Sequence, residues 1–341
     1  MGLLARCRRT WIAICVALLW LPILGHAYLP SRAISESEAR ALQRFPALPA
    51  SRGELTQFPR LLDTFLADHF GFRDPLTRAN ALLRYKLSSP TNPLVLYGKD
   101  GFLFYLEQGA LEQSMGLVIR ESSLKMYADA LAQLRGELSE RNIRFLFTSP
   151  PNNSTINRSH LPDWAGTPPA FTEYDVLLRL LAARGVPALD LRPALQAENS
   201  ARATYFKTDT HWNLLGAVIA RNEIVRAVGH PEWAIDVSRV FGGFRRSYGL
   251  DLPRLLGVPN HIAEDQDAAI DVSSYPSAEE PIILVIGDSF TGNFFPKIWR
   301  NGGKLVFMEK SGCKLDLEAI VAHRPSIVII SVTERSLGHL C

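Results

Sequence analysis

The feature that most constrains this chain is an aliphatic run, Ile282–Ile286, that ends in Gly287-Asp288-Ser289. An uninterrupted aliphatic run is typical of a strand that is covered on both faces, as in a parallel sheet. Gly287 allows the backbone to turn sharply where the strand ends. Ser289 then lies just beyond the carboxyl end of the strand, where open α/β sheets bind their ligands. The pattern therefore predicts an α/β fold with a candidate nucleophile at one edge of its sheet.

A serine hydroxyl is a weak nucleophile until a base removes its proton, and the best candidate base is His211. In an extended segment, side chains two positions apart point the same way, which would bring Asp209 and His211 to one face. We therefore predict a triad in which Ser289 attacks, His211 is the base and Asp209 orients the imidazole. The alternatives are a serine in an ordinary turn and an Asp-x-His pair that binds a metal or makes a structural hydrogen bond.

Two pairs of motifs resemble those of a known family. The segments Gly287–Phe290 and Asp209–Asn213 resemble the SGNH hydrolase-like domain of the AlgJ/AlgX-type alginate O-acetyltransferase family. That family places its serine motif after its Asp-His motif, a permuted order relative to ordinary SGNH hydrolases, and this chain has the same order. Phe65–Asp74 and Leu96–Tyr105 resemble the family's entry into its catalytic domain, although Phe102 stands where the family usually has Trp.

The resemblance extends from about Phe58 to Leu337 and implies a flavodoxin-like parallel sheet flanked by helices. It implies a periplasmic enzyme that moves acetyl groups through a serine ester onto hydroxyls of an exopolysaccharide such as alginate, without a cofactor or metal. The implied partners are a membrane-bound acyltransferase that supplies acetyl groups and other polymer-assembly proteins. Two alternatives remain open: a carbohydrate acetyl esterase with the same triad, and a non-catalytic polysaccharide-binding scaffold subunit.

Five further residues are candidate oxyanion or substrate contacts. Gly292 and Asn293 follow the nucleophile and are candidate donors to an oxyanion. Asn152 follows a predicted strand and is a candidate partner of a sugar or oxyanion, with turn formation as the alternative. Arg245 carries a guanidinium that matches a polysaccharide carboxylate, with a solvated loop face as the alternative. Arg335 belongs to an acid-Arg pair just beyond the last strand, and the family has a similar pair there.

The N-terminal residues predict export. Residues 1–10 contain three arginines and no acid, and residues 11–24 are apolar, interrupted only by Pro22. This pattern predicts a signal peptide or membrane anchor over residues 1–29, with the remainder across the inner membrane. Residues 30–57 are rich in Pro, Ser, Ala and Arg and predict a linker, which leaves residues 58–341 for the SGNH hydrolase-like domain.

Composition narrows the remaining possibilities. The hydrophobic fraction of 47% and the charged fraction of 21% are typical of a globular protein with a full core. The net charge is only +3 and the basic residues are scattered, which argues against a nucleic-acid partner. Cys313 and Cys341 lie in the part predicted to be exported, where a disulfide between them would persist.

The spacing of apolar residues predicts the other elements. Helices are predicted at 60–87 with a break near Gly71, and at 122–141, 173–184, 214–228 and 315–323. Strands are predicted at 143–148, 186–191, 304–308 and 327–331, with a hairpin at 94–106. The stretch 229–281 has no regular pattern. Alternating strands and helices predict a parallel sheet with helices on both faces.

Overall fold

A computed structural model of the chain describes residues 8, 10–17, 20, 34–35, 40–89, 91–165, 167, 169–310, 312 and 315–339. Most of the predicted signal or anchor segment, residues 1–29, lies outside the described residues, as do Cys313 and Cys341. In the part of the chain that is described, no helix combines the length and the apolar character needed to cross a bilayer.

Helices and strands alternate along most of the chain. The α-helices are α1 Arg52–Asp68, α2 Arg73–Lys86, α3 Ala110–Ser114, α4 Glu121–Ser139, α5 Asn153–Ile156, α6 Glu173–Ala183, α7 Arg192–Asn199, α8 Leu214–Ala227, α9 Val237–Val240, α10 Asp251–Leu255, α11 Ser289–Gly292, α12 Phe295–Ile298 and α13 Leu317–Ala322. The strands are β1 Ile34–Ser35, β2 Arg40–Ala41, β3 Val95–Tyr97, β4 Leu103–Tyr105, β5 Arg144–Ser149, β6 Ala188–Asp190, β7 Phe241–Ser247, β8 Glu264–Ile270, β9 Ile282–Gly287, β10 Lys304–Glu309 and β11 Ile327–Ser331. Short 3₁₀ helices span Glu107–Gly109, Arg158–His160, Asp163–Ala165, Pro231–Trp233 and Glu334–His339.

The chain divides into two compact units, residues 1–91 with 254–261 and residues 92–253 with 262–341. The first unit contains α1 and α2. The hydroxyl of Ser51 caps α1 by accepting from the Glu54 N–H at 3.3 Å. Helix α1 therefore begins inside the stretch predicted as a linker, because this cap and not the nearby prolines decides the local structure. The predicted domain boundaries after residues 29 and 57 stay predictions.

The second unit is built on a five-stranded sheet with the order β10-β9-β11-β5-β6, in which every neighbouring pair is parallel. The carboxyl ends of β5, β9 and β11 lie level, because Ser331 pairs with Gly287 on one side and with Thr148 on the other. Loops that follow these three strands therefore meet at one edge. This is the predicted parallel sheet, and its edge is where the candidate site lies.

Alternate residues of the central strands fill two separate cores. Val285 and Ile329 face the cluster that includes α8, whereas Leu284 and Ile330 face the cluster that includes α4 and α6. All five residues of β11 are buried. A strand buried on both faces needs apolar side chains at every position, which explains the continuous aliphatic runs in the sequence.

The stretch 229–281, predicted to be irregular, contains the antiparallel strands β7 and β8. Their register shifts between Phe241 and Phe244 and again between Arg245 and Ser247. Such irregularities break the alternation of apolar and polar residues that identifies a strand. The prediction of an irregular region was wrong for this physical reason.

Gly287 is required by close packing and not by an unusual turn, since it has no positive φ angle. A Cβ atom at this position would lie 2.8 Å from the Ser331 carbonyl oxygen and closer still to the Thr291 hydroxyl. The backbone of β11 is rigid within the sheet, so it does not yield easily. The geometry of the serine turn therefore depends on the absence of a side chain at position 287.

We expect Gly287→Ala to lower the free energy of unfolding by about 1–3 kcal/mol, because the added methyl group overpacks the end of β9. Gly136→Ala on α4 is the matched control, since no atom lies within 4 Å of a Cβ there. That control should be neutral or slightly stabilising. Urea unfolding of both variants measures the difference, and equal stabilities would contradict this account of Gly287.

Candidate active site

Ser289 lies at the carboxyl edge of the sheet, where β9 leads into α11. Asp288 fixes this turn, because its Oδ1 accepts from the Phe290 N–H at 3.1 Å. Its Oδ2 accepts from the backbone N–H and the hydroxyl of Thr333 at 2.8 and 2.6 Å. The segment after β11 thereby holds the serine turn in place, while Ser289 itself stays exposed to solvent.

Asp209 and His211 lie in a bend and not in the extended segment that we expected. They still point the same way, because Asp209 Oδ1 accepts from the His211 backbone N–H at 3.0 Å and lies 2.6 Å from His211 Nδ1. Helix α8 starts directly afterwards, and the Asn213 side chain caps it by accepting from the Gly216 N–H at 3.0 Å. The carboxylate therefore orients both the backbone and the imidazole.

The structure brings the three residues of the predicted triad together. His211 Nε2 lies 2.8 Å from Ser289 Oγ, and His211 Nδ1 lies 2.6 Å from Asp209 Oδ1. Asp209 is 6% exposed and His211 is 8% exposed, whereas the serine faces solvent. A hydroxyl that donates to an imidazole, which in turn donates to a carboxylate, is the arrangement that activates a serine nucleophile.

Buried polar groups hold the Asp-His bend in position. Glu264, which is fully buried, accepts from the N–H and the hydroxyl of Thr208 at 2.9 and 3.0 Å. Asn153, just after β5, donates from its amide to the carbonyls of Phe206 and Asp209 at 2.9 and 3.3 Å. The bend is therefore anchored both from β8 and from the segment after β5.

Trp212 connects the Asp-His bend to the serine turn. Its indole N–H donates to the Phe290 carbonyl at 3.0 Å, and its ring meets the Phe290 ring edge-on at 5.3 Å. The Trp212 ring also stacks on Phe295, with ring centres 6.1 Å apart. The side chain is fully buried, so Trp212 belongs to the core and not to the wall of the site.

A second carboxylate, Asp251, also faces the imidazole and was missed in the sequence. Its Oδ2 lies 3.4 Å from His211 Nδ1, and its backbone N–H donates to Asp209 Oδ2 at 3.1 Å. Burial by itself lowers the pKa of His211, but the hydrogen bonds and charges of Asp209 and Asp251 outweigh burial and raise that pKa to about 9. No spacing rule links Asp251 to the motif, because only the fold brings α10 against the bend.

The same three residues are the alternative metal site of the described part of the chain. Ligand atoms of Asp209, His211 and Asp251 all lie within 4.8 Å of one another. A metal ion would need the ring nitrogen and the oxygens at about 2.0–2.2 Å from a shared centre. Instead His211 Nδ1 and Asp209 Oδ1 face each other at 2.6 Å, which is the distance of a charge-assisted hydrogen bond. The geometry fits a proton relay better than a metal centre.

The backbone groups of Gly292 and Asn293, both predicted oxyanion donors, are engaged within α11. The Gly292 N–H donates to the Asp288 carbonyl at 2.9 Å, and the Asn293 N–H donates to the Ser289 carbonyl at 3.1 Å. Gly292 instead provides space, because a Cβ there would lie 2.7 Å from the Phe307 ring. The exposed side chain of Asn293 stays a candidate donor.

Asn152 and Arg245 make structural contacts. Asn152 is 3% exposed, and its side-chain oxygen accepts from the Arg335 N–H at 3.2 Å. Its backbone N–H donates to the Glu334 carboxylate at 2.7 Å. This is the turn role that we gave as the alternative. Arg245 lies on β7 with its side chain 62% exposed and paired with Asp267 at 3.0 Å. Both assignments to substrate binding stay predictions.

Arg335 stands beside the serine turn. Its guanidinium lies 5.5 Å from the Phe290 ring centre and 5.6 Å from the Tyr105 ring centre. Burial lowers the pKa of Arg335, while the nearby Asp288 charge opposes that effect. Lys310, directly after β10, is a further cation at this edge that we did not predict. The rule that strand ends carry functional groups would have identified it.

We expect the turnover of an activated acetyl ester to rise with pH up to about 9, because protonated His211 cannot accept the serine proton. Asp251→Asn removes a negative charge that raises the pKa of His211, so the rising limb should move to lower pH. Asp129→Asn, a surface acid of α4 paired with Arg184, is the control. Superimposable pH profiles for wild type and Asp251→Asn would contradict the role of this carboxylate.

The comparison with known proteins agrees with the motifs. Residues 95–238 match a family described as the SGNH hydrolase-like domain of acetyltransferase AlgX. A probable alginate O-acetylase AlgJ of Pseudomonas syringae pv. tomato is 25% identical over 189 residues, which are 52% of this chain and 46% of that protein. The AlgJ of Pseudomonas aeruginosa, with the same description, is 27% identical over 156 residues, or 44% and 38% of the two chains. The chain thus spans less than half the length of these relatives.

Among solved structures, the O-acetyltransferase domain of Pseudomonas putida AlgJ is similar, with 18% identity and a TM-score of 0.47. The similarity covers 72% of this chain and 92% of that one. The matched family domain includes Asp209 and His211, and the permuted serine motif follows it at the end of β9. The predicted resemblance to the SGNH hydrolase-like domain of the AlgJ/AlgX-type family is confirmed.

Proposed function

We propose that this chain is a periplasmic O-acetyltransferase that moves acetyl groups through a serine ester onto hydroxyls of an exopolysaccharide such as alginate. The observation that carries the proposal is the hydrogen-bonded chain from buried Asp209 through His211 to exposed Ser289. The two relatives described as probable alginate O-acetylases support acetyl as the transferred group and a polysaccharide as its acceptor.

In the first half-reaction, Ser289 Oγ attacks the carbonyl carbon of the acetyl donor while its proton passes to His211 Nε2. The imidazolium that forms keeps its other proton on Nδ1, which donates to Asp209 Oδ1 at 2.6 Å. When the tetrahedral intermediate collapses, the bond to the donor breaks and His211 gives its proton to the leaving group. The product is an acetyl ester on Ser289.

In the second half-reaction, a sugar hydroxyl gives its proton to His211 Nε2 and attacks the acetyl carbonyl. Collapse of this second intermediate returns the proton to Ser289 Oγ and releases the acetylated sugar. Each intermediate carries an oxyanion that needs donors. The Ser289 N–H at the start of α11 and the Asn293 side-chain amide are the candidates, because both lie next to the nucleophile in the chain.

The acetyl donor is a membrane-bound acyltransferase that the family resemblance implies, and the acceptor is the growing or finished polymer. Other polymer-assembly proteins act alongside. The N-terminal arginines and the apolar segment that follows them support export across the inner membrane.

A carbohydrate acetyl esterase is the second candidate, and the exposure of Ser289 favours it, because water reaches the acetyl ester freely. The two activities share every step up to the acetyl-enzyme. They differ only in which hydroxyl gives its proton to His211 afterwards, so an acceptor-dependent measurement separates them.

We expect Ser289→Ala to lower turnover of an activated acetyl ester by about 10⁴–10⁶-fold, because the nucleophile is lost. Asp209→Asn should lower it by about 10²–10⁴-fold with the fold intact, because the imidazole loses its orientation. Ser273→Ala, an exposed serine outside the site, is the control. Mass spectrometry of the rapidly quenched wild type should show one acetyl group on the peptide that contains Ser289.

The acceptor decides between the two candidates. Acetyl groups that appear on an added oligosaccharide, with release accelerated by that oligosaccharide, would establish the transferase. Release at one rate with every sugar would favour the esterase. Equal turnover by wild type and Ser289→Ala would remove the triad and leave the non-catalytic scaffold.

A further inference from the structure

Two cations near Ser289 have no acid bound to them. Within the described part of the chain, neither the Arg335 guanidinium nor the Lys310 ammonium has a carboxylate within hydrogen-bonding distance. Two other arginines of the same unit have acid partners, Arg120 with Glu173 at 2.5 Å and Arg192 with Asp175 at 2.6 Å, whereas the fully buried Arg221 donates to the Trp233 carbonyl at 2.7 Å instead. A partly buried cation without an acid partner costs desolvation free energy, so we look for an anion that binds to it from outside the chain.

Both cations lie at the edge of the sheet that carries Ser289. Lys310 directly follows β10, and its backbone N–H donates to the Gly287 carbonyl at 2.8 Å. Arg335 follows β11, and its guanidinium lies 5.5 Å from the ring of Phe290, the residue after the nucleophile. The strands that carry them flank β9 on its two sides. The two residues therefore follow the strands on either side of β9, which leads into the serine turn.

The nearby acid does not neutralise them by direct contact. Asp288 already accepts three hydrogen bonds, one from Phe290 and two from Thr333. Its charge nevertheless favours the charged form of Lys310, whose pKa burial lowers and the Arg335 charge lowers further.

We propose that Arg335 and Lys310 form a carboxylate-binding subsite beside Ser289 that selects a polysaccharide built of uronic acids over a neutral one. The subsite rests on the proposed function for its acceptor. A planar guanidinium binds a carboxylate through two parallel hydrogen bonds, and the ammonium adds a second charge. Each uronic acid carries one carboxylate on the same ring as its hydroxyls, so binding it would present a hydroxyl to the acetyl-enzyme.

The competing role for Arg335 is stabilisation of the oxyanion, which would act on every ester regardless of acceptor. The two roles differ in what a substitution changes. Loss of an oxyanion donor slows turnover of a small neutral ester, whereas loss of a carboxylate subsite leaves that reaction unchanged and weakens only the acidic acceptor.

The first test measures binding without chemistry. In the Ser289→Ala full chain, calorimetry at low salt compares an oligomannuronate with a cello-oligosaccharide of the same length. We expect Arg335→Gln and Lys310→Gln each to raise the Kd for the oligomannuronate by about 10- to 100-fold, because each removes a charged hydrogen bond. Binding of the neutral oligosaccharide should be weak and unchanged. Added salt should weaken the wild-type contact and have little effect on the double variant.

Matched variants keep the test sharp. Lys304→Gln removes an exposed lysine at the other end of the same strand, β10, where Lys304 pairs with Glu279 at 2.8 Å, and it should bind as the parent does. Arg335→Lys keeps the positive charge but loses the planar guanidinium, so its affinity should lie between that of the parent and that of Arg335→Gln. This variant also shows whether the loss in Arg335→Gln is due to misfolding.

The second test uses the intact nucleophile. With Ser289 present, Arg335→Gln and Lys310→Gln should raise the KM for the oligomannuronate acceptor by a larger factor than they lower turnover of a small neutral acetyl ester. Equal affinity of the parent for the acidic and neutral oligosaccharides would overturn the subsite, as would an equal loss on the neutral ester. Failure of the triad would appear separately, as ester turnover that does not depend on Ser289, while the binding result would still stand.

Discussion

The site depends on the contact between the Asp-His bend and the serine turn, which are far apart in the sequence. A buried hydrogen bond, 3.0 Å from the Trp212 indole nitrogen to the Phe290 carbonyl oxygen, holds the two segments together inside the core. His211 Nε2 can then reach Ser289 Oγ at 2.8 Å only because the two backbones are already held. Water would often break an exposed hydrogen bond between flexible side chains. The buried indole bond instead keeps the His211 and Ser289 backbones in place, so their side chains stay within hydrogen-bonding distance.

The parallel sheet supplies the other half of this arrangement. Strands β5, β9 and β11 end at the same level, so their following segments provide Asn153, Ser289 and Thr333 at one edge. A buried carboxylate holds the Asp-His bend: Glu264 is fully buried, and burial raises its pKa while its hydrogen bonds from Thr208 and Gln266 oppose that shift. Hydrogen bonds to this buried acid therefore add to the packing of Trp212 in holding the bend.

Much of the sheet was predictable from local sequence. Strand β11 was predicted with the bounds that the structure has, and β9 and β10 to within a residue, because residues buried on both faces leave an unbroken aliphatic run. Strands β7 and β8 were missed because bulges interrupt their alternation. The start of α1 was missed because Pro59 inside it resembles a breaker, although the Ser51 cap marks the true beginning.

The sequence alone determined the fold class, the family resemblance and the residues that form the relay, because each rests on a short motif whose local chemistry is strong. Tertiary structure alone decided which other groups face that relay. Asp251 reaches the imidazole from α10, a position that no spacing along the chain encodes. Only the strand order places Arg335 and Lys310, which follow β11 and β10, on either side of the serine turn. Tertiary structure also occupied Asn152 and the N–H groups of Gly292 and Asn293 with internal hydrogen bonds, because a buried donor or acceptor must find a partner wherever the fold places it.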